Sequence, residues 1–82
     1  MMIHYDDLAH ENFITFLESK LINHHIVLRE ISDSYTLLRP GNTGVCTGVW
    51  SDSTKTIRID VKWDNGSSLS LIQGIDHYDL LD

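Results

Sequence analysis

The chain has 82 residues, which allows one domain with a thin hydrophobic core. Twelve acidic against six basic side chains leave a net charge of −6, which opposes binding to nucleic-acid phosphates and to anionic membranes. The single cysteine, Cys46, excludes an internal disulfide and a multi-cysteine zinc site. The acidic N-terminus lacks a signal sequence and no run is apolar enough to span a membrane, so we expect a cytoplasmic protein.

Residues 5–22 are predicted to form an amphipathic helix. Asp6 and Asp7 suit its N-terminus, as a cap and as anions near the positive end of the helix dipole. Ile14 and Ile22 lie off the main apolar stripe, so the buried face is wide or these two residues form a contact surface. A wide face suits a helix laid across a small sheet. The stripe itself repeats at spacings of three and four and contains Leu8, Ala9, Phe13, Phe16, Leu17 and Leu21.

Two strands are predicted after the helix, at residues 26–31 and 43–50. Glycines at Gly44 and Gly48 are expected to weaken or bulge the second strand. Residues 78–81 are predicted to form a short final strand.

Residues 56–74 are predicted to form a β-hairpin. Asn65 and Gly66 tolerate positive φ and therefore predict a tight type I′ turn. Leu69 and Leu71 resume the alternation after the turn. The first strand alternates apolar and polar residues, and one face collects Ile57, Ile59, Val61 and Trp63. We expect Trp63 in the core.

These elements predict a mainly β (α+β) fold, a small barrel of four to five short strands preceded by one amphipathic helix. The helix would plug an open end of the barrel or cover a sheet edge. Residues 1–82 would form a single domain, with the helix at about 5–22 and the barrel at about 25–82.

Two sequence motifs resemble a small uncharacterised domain family that is common in phages and mobile elements, especially those of Gram-positive bacteria. The first is Y-T-L-L-R-P-G-N-T-G-V-C-T-G-V at residues 35–49, and the second is I-D-V-K-W-D-N-G-S-S-L-S-L-I-Q-G-I-D at residues 59–76. The resemblance implies an SH3-like barrel in the bacterial host cytosol. It brings no catalytic residues, because the family is described by sequence and not by activity.

The histidines and the cysteine have plain structural interpretations. Adjacent strand residues face opposite sides, so His24 and His25 cannot easily share a metal. A site that joins one of them to His77 and Asp76 is disfavoured against surface histidines. Cys46 lies between valines in a strand and is expected to be buried and unreactive. We expect no metal and no cofactor.

The loop at residues 32–43 is the main candidate for a binding site. Its Tyr35 and Arg39 could converge with Trp50 on a nucleotide or a peptide, through phosphate contact and stacking. The favoured alternative is that Tyr35 packs over the barrel mouth and Arg39 pairs with a nearby aspartate. Trp50 precedes a polar turn and is expected to be an exposed binding anchor. The remaining candidate binding residues are Asp52, Asp64, Asp76, His77 and Tyr78.

The expected function is that of a non-enzymatic binding module. It would inhibit a host defence protein through an acidic and aromatic surface. One alternative is a homo-oligomeric small-molecule binder that sequesters a nucleotide immune signal. Another is a barrel associated with nucleic acid, which the net charge disfavours.

Overall fold

The computed structural model describes residues 5–33 and 36–81, with side chains from Asp7 onward. Its elements are α1 (Tyr5–Leu21), β1 (His25–Glu30), β2 (Thr43–Ser51), β3 (Ile57–Trp63), β4 (Leu71–Ile72) and β5 (His77–Leu80). The predicted mainly β fold with one N-terminal helix is confirmed. Within these described ranges, no helix is long and apolar enough to cross a membrane.

The five strands form one open antiparallel sheet in the order β4-β3-β2-β1-β5. Four strands follow one another as a meander, and β5 returns to pair with β1. The register of β2 and β3 shifts between Cys46 and Gly48, so the predicted irregularity is confirmed at Gly48. Gly44, by contrast, pairs in register with Trp63. The helix packs across β2.

The buried face of α1 is centred one position away from the predicted stripe. Leu17 and Leu21 are buried, and Ile14 packs against the core although the prediction left it off the stripe. These three residues recur at spacings of three and four, as a helix face requires. The half-buried Ile22, directly after the helix, joins the same cluster.

Four residues of the predicted stripe, Ala9 among them, are exposed, and in this respect the prediction was wrong. Leu8, Phe13 and Phe16 are 47%, 41% and 52% exposed. Phe13 and Phe16 precede Ile14 and Leu17 by one residue each, which turns them about 100° around the helix. Both sets satisfy the same periodicity, so the tertiary contacts decided which set is buried.

The predicted type I′ turn was also wrong. Gly66 N donates to Trp63 O at 3.0 Å, so Asp64 and Asn65 occupy the two central positions of the turn. Gly66 has φ of 87°, whereas Asn65 does not have positive φ. A type I′ turn requires positive φ at both central residues. The amide oxygen of Asn65 instead accepts a hydrogen bond from Ser67 N at 2.9 Å.

The core lies between α1 and the inner face of the sheet. Trp63 is 2% exposed, as predicted, and its Nε1 donates to Leu69 O at 2.8 Å. The thiol of Cys46 is fully buried, and this burial raises its pKa. The buried cluster contains Leu17, Leu21, Ile26, Leu28, Leu38, Cys46, Val49, Ile57, Ile59, Val61, Trp63 and Leu71.

Candidate functional site

The loop around Arg39 is held together by its own hydrogen bonds. Arg39 Nη1 donates to Thr36 O at 2.7 Å and to Leu38 O at 2.8 Å. Its backbone N donates to Asn42 Oδ1 at 2.8 Å. The guanidinium therefore binds backbone carbonyls where an aspartate partner was expected, and that expectation was wrong. Tyr35 lies outside the described residues.

Arg39 and Trp50 are not brought together. Asn42 connects the loop of Arg39 directly to Thr43, where the nine-residue β2 begins, whereas Trp50 lies near the opposite end of that strand. A strand rises about 3.3 Å per residue, which separates Thr43 from Trp50 by about 20 Å. The predicted convergence of Tyr35, Arg39 and Trp50 is therefore wrong for Arg39 and Trp50, which lie far apart.

Two of the predicted aspartates stabilise the fold. Asp64 directly follows β3, in the hairpin turn. Its carboxylate accepts a hydrogen bond from the Thr43 hydroxyl, and its N–H donates to Thr43 O at 2.9 Å. Asp76 is 6% exposed and accepts hydrogen bonds from Ser32 and Ile72. Its carboxylate thus joins the loop after β1 to the turn after β4.

His77 and Tyr78 lie in β5, beside a groove between that strand and the C-terminal half of α1. The groove has a volume of about 460 Å³, and we call it the helix–β5 groove. The Tyr78 hydroxyl donates to Gln73 Oε1 at 2.7 Å. Burial, with a smaller contribution from Cys46, raises the pKa of Tyr78 to about 12. The residues that line the helix–β5 groove include Phe16, Leu17, Lys20, Leu21, Gly74, His77, Tyr78 and Leu80.

An exposed aromatic stripe on α1 borders the helix–β5 groove. The rings of Phe13 and Phe16 stack with centroids 6.5 Å apart and planes 15° apart. Lys20 Nζ lies 5.9 Å from the centroid of the Phe16 ring. Leu80, across the groove, is 44% exposed. Sequence reasoning assigned the two phenylalanines to the core and therefore missed this surface.

No strand in the described part of the chain pairs with the outer edge of β5, because this strand lies at the end of the sheet. Leu81 N donates to His25 O at 2.9 Å. This bond makes Leu81 and His25 a hydrogen-bonded pair of the antiparallel ladder. Hydrogen-bonded and non-hydrogen-bonded pairs alternate along such a ladder, so Leu80 and Tyr78 belong to non-hydrogen-bonded pairs. Leu28, opposite Tyr78, accordingly directs its N–H towards the β2 side. The N–H and C=O groups of Tyr78 and Leu80 therefore point away from β1.

Trp50 lies on a second groove, on the outer face of the sheet. This face also carries Arg58, which is the cross-strand partner of Trp50. Trp50 is 45% exposed, as expected of a binding anchor, and its Nε1 donates to Asp60 Oδ1 at 2.9 Å. The groove has a volume of about 570 Å³, and we call it the Trp50 groove. It is lined by Trp50, Asp52, Arg58, Ser67, Ser68, Leu69 and Ser70.

Asp52 holds the turn beside the Trp50 groove. Its Oδ1 accepts hydrogen bonds from the Thr54 hydroxyl, from Thr54 N and from Thr56 N. Arg58 Nε donates to its Oδ2 at 3.2 Å. These donors, chiefly the Thr54 hydroxyl, lower the pKa of Asp52 to about 2. Sequence reasoning named Asp52 but not Arg58, whose position opposite Trp50 depends on the strand register.

Among the described residues, no three His, Cys, Asp or Glu side chains gather into a group that could hold a metal ion. Cys46 is buried in the core, and its raised pKa is the opposite of what an activated thiol requires.

Comparison with known proteins places the chain in a family. Residues 17–81, which comprise the last turn of α1 and all five strands, match the model of a family described as a domain of unknown function, DUF4314. No curated protein and no solved structure matches the chain. The match covers well over half of the sequence, and the chain therefore belongs to the DUF4314 family.

Proposed function

We propose that the chain is a non-enzymatic protein-binding module, which a phage or mobile element directs against a protein of its bacterial host. The phage origin is supported by the motifs at residues 35–49 and 59–76, both of which fall inside the region that matches the family. A component of antiviral defence is the proposed target.

The observation that carries the proposal is the exposed aromatic stripe of α1 beside the helix–β5 groove. Contiguous exposed apolar surface on a small protein marks an interaction site more often than scattered single residues do. Phe13 and Phe16 stack on each other, and Leu80 lines the same groove as Phe16. Aromatic side chains bury a large area at low entropic cost and are frequent anchors of protein interfaces.

The free edge of β5 indicates how a partner would bind. An extended segment of the partner could pair with the outward backbone groups of Tyr78 and Leu80 and thereby add a strand to the sheet. Alternate side chains of that segment would then point into the helix–β5 groove, towards Phe16. Main-chain hydrogen bonds would supply affinity and the groove would supply specificity.

The proposal is tested by affinity capture from a bacterial host lysate followed by binary binding of the purified partner. The wild-type protein is compared with the double variant Phe13→Ser/Phe16→Ser and with Trp50→Ala, a matched control on the other groove. We expect a partner whose affinity falls at least about tenfold in the double variant and stays unchanged in the control.

Circular dichroism and thermal unfolding of all three proteins establish that each is folded. The proposal fails if no protein is recovered above the level of the double variant. It also fails if a purified partner binds the double variant and the wild type equally.

A further inference from the structure

The Trp50 groove carries a second inference, which does not depend on the proposed protein partner. Trp50 is held at one edge, because its Nε1 donates to Asp60 Oδ1. Ser70 Oγ donates to the same oxygen at 2.6 Å, so Asp60 connects the tryptophan to the opposite wall of the groove. Nearly half of the Trp50 side chain nevertheless remains exposed. The indole is therefore an oriented aromatic wall that lacks a covering group among the described residues.

The charges that line the groove cancel. Among the described lining residues, Arg58 and Asp52 carry the charges, and they form an ion pair with Arg58 Nε 3.2 Å from Asp52 Oδ2. The neighbouring Asp60 carboxylate is bound by Trp50 and Ser70. A phosphate that approached Arg58 would be repelled by the paired Asp52 carboxylate, and a cationic group that approached Asp52 would be repelled by Arg58. The groove consequently favours a neutral ligand over either kind of ion.

The polar groups of the groove include both donors and acceptors. The ion pair uses Nε of Arg58, and no acceptor among the described residues bonds its two terminal nitrogens, so these remain available as donors. Ser70 donates its proton to Asp60 and retains lone pairs that can accept. Ser68 adds an exposed hydroxyl that can do both. Such a set matches a ligand that carries several hydroxyl groups.

We propose that the Trp50 groove binds a neutral saccharide. A sugar ring has an apolar C–H face that can pack on the indole of Trp50 and hydroxyls that can both donate and accept at its rim. The volume of about 570 Å³ is within the range of small-ligand sites and accommodates one or two sugar rings. Trp50 supplies the contact area, and Arg58, Ser68 and Ser70 fix the orientation of the ring.

The test is a titration of the full chain, labelled with ¹⁵N, with a panel of probes. The neutral probes are glucose, galactose, mannose, N-acetylglucosamine and the β-1,4-linked dimers of glucose and of N-acetylglucosamine. Adenosine monophosphate and arginine amide serve as anionic and cationic probes of similar size. We expect at least one neutral sugar to shift the indole N–H signal of Trp50 saturably at millimolar concentration, and neither charged probe to do so.

Three variants distinguish a ring-stacking site from non-specific effects. Trp50→Ala should weaken sugar binding by about tenfold or more, whereas Trp50→Phe, which keeps an aromatic face, should retain most of the affinity. Phe16→Ala, on the helix–β5 groove, should leave sugar binding unchanged. The inference is overturned if no neutral sugar shifts the Trp50 signal, if a charged probe binds there more tightly, or if Trp50→Ala binds sugar like the wild type.

Discussion

The carboxylate of Asp76 binds Ser32 through two hydrogen bonds, one from the backbone N–H at 2.8 Å and one from the hydroxyl at 2.9 Å. Its other oxygen accepts from Ile72 N at 2.8 Å. A buried carboxylate is costly unless its oxygens are satisfied, and here both are. The contact joins the loop after β1 to the turn between β4 and β5, two segments that are far apart in the sequence.

We predict that Asp76→Ala lowers the free energy of unfolding by about 2–4 kcal/mol, because it leaves buried donors unsatisfied. Asp76→Asn should cost less, since its amide oxygen can still accept. Urea denaturation measures both effects. Asp79→Ala is the control, because Asp79 forms an exposed ion pair with Arg29, and the cost should stay below about 1 kcal/mol. Equal effects of Asp76→Ala and Asp79→Ala would contradict the assigned role of Asp76.

We predict that Gly44→Ala destabilises the fold by about 1–3 kcal/mol through overpacking. A Cβ at this position would lie 2.7 Å from Lys62 O and 2.7 Å from Val61 Cγ1. The backbone of β3 would have to move, which disturbs the ladder with β2. Gly48→Ala is the matched control on the same strand, since its Cβ would approach the Asp60 side chain no closer than 3.4 Å, at Oδ2.

The difference between these two glycine variants is measured by thermal unfolding under identical conditions. Gly48→Ala should shift the midpoint much less than Gly44→Ala. Equal midpoints for the two variants would show that the close approach of β2 and β3 at Gly44 is absent.

We predict that Asp52 contributes stability that is lost in acid. The folded state lowers its pKa from 3.8 to about 2, chiefly through the Thr54 hydroxyl. A lowered pKa stabilises the folded state above the unfolded pKa, and the contribution disappears as the pH falls through about 2. Asp52→Asn should therefore be less stable than the wild type at neutral pH. This difference in stability should vanish as the pH approaches about 2.

The pKa of Asp52 is measured directly by NMR titration of its carboxyl carbon. Thr54→Val removes the hydroxyl, and it should move the pKa of Asp52 upwards, towards its ordinary value. An unchanged titration in Thr54→Val would contradict the role of this hydrogen bond.

We predict that the thiol of Cys46 is almost inert in the folded protein. It is fully buried, and burial raises its pKa, so both access and the thiolate fraction are low. A disulfide reagent at pH 8 should label it only at the rate of unfolding, and rapidly in denaturant. A variant with Ser53→Cys, on the exposed turn, should instead react at once with one equivalent. Rapid labelling of native wild-type protein would contradict burial of Cys46.

Part of the fold was predictable because it depends on local chemistry. The alternation of Ile57, Ile59 and Val61 with polar residues predicted both β3 and its buried face, and Trp63 followed from the same period. Gly48 indicated that the pairing of β2 would be irregular at that residue. These features require only that one side of a strand be apolar, a property that can be read directly from the chain.

The surfaces were not predictable in the same way, because they depend on which elements meet. Helix periodicity fitted two neighbouring faces of α1. Packing against the core buried Leu17 and covered part of Ile14, while it left Phe13 and Phe16 exposed. The pairing of Trp50 with Arg58 depends on the register between β2 and β3, which a bulge shifts by one residue.

The sequence by itself determined a mainly β domain with an N-terminal helix, a buried Trp63 and a net charge of −6. Those properties follow from composition and from periodicities of a few residues. Only the tertiary structure decided that Asp76 is buried against Ser32, that β5 leaves an unpaired edge, and that Trp50 and the phenylalanines lie on separate grooves. Each of these depends on contacts between residues distant in the sequence, which local patterns do not encode.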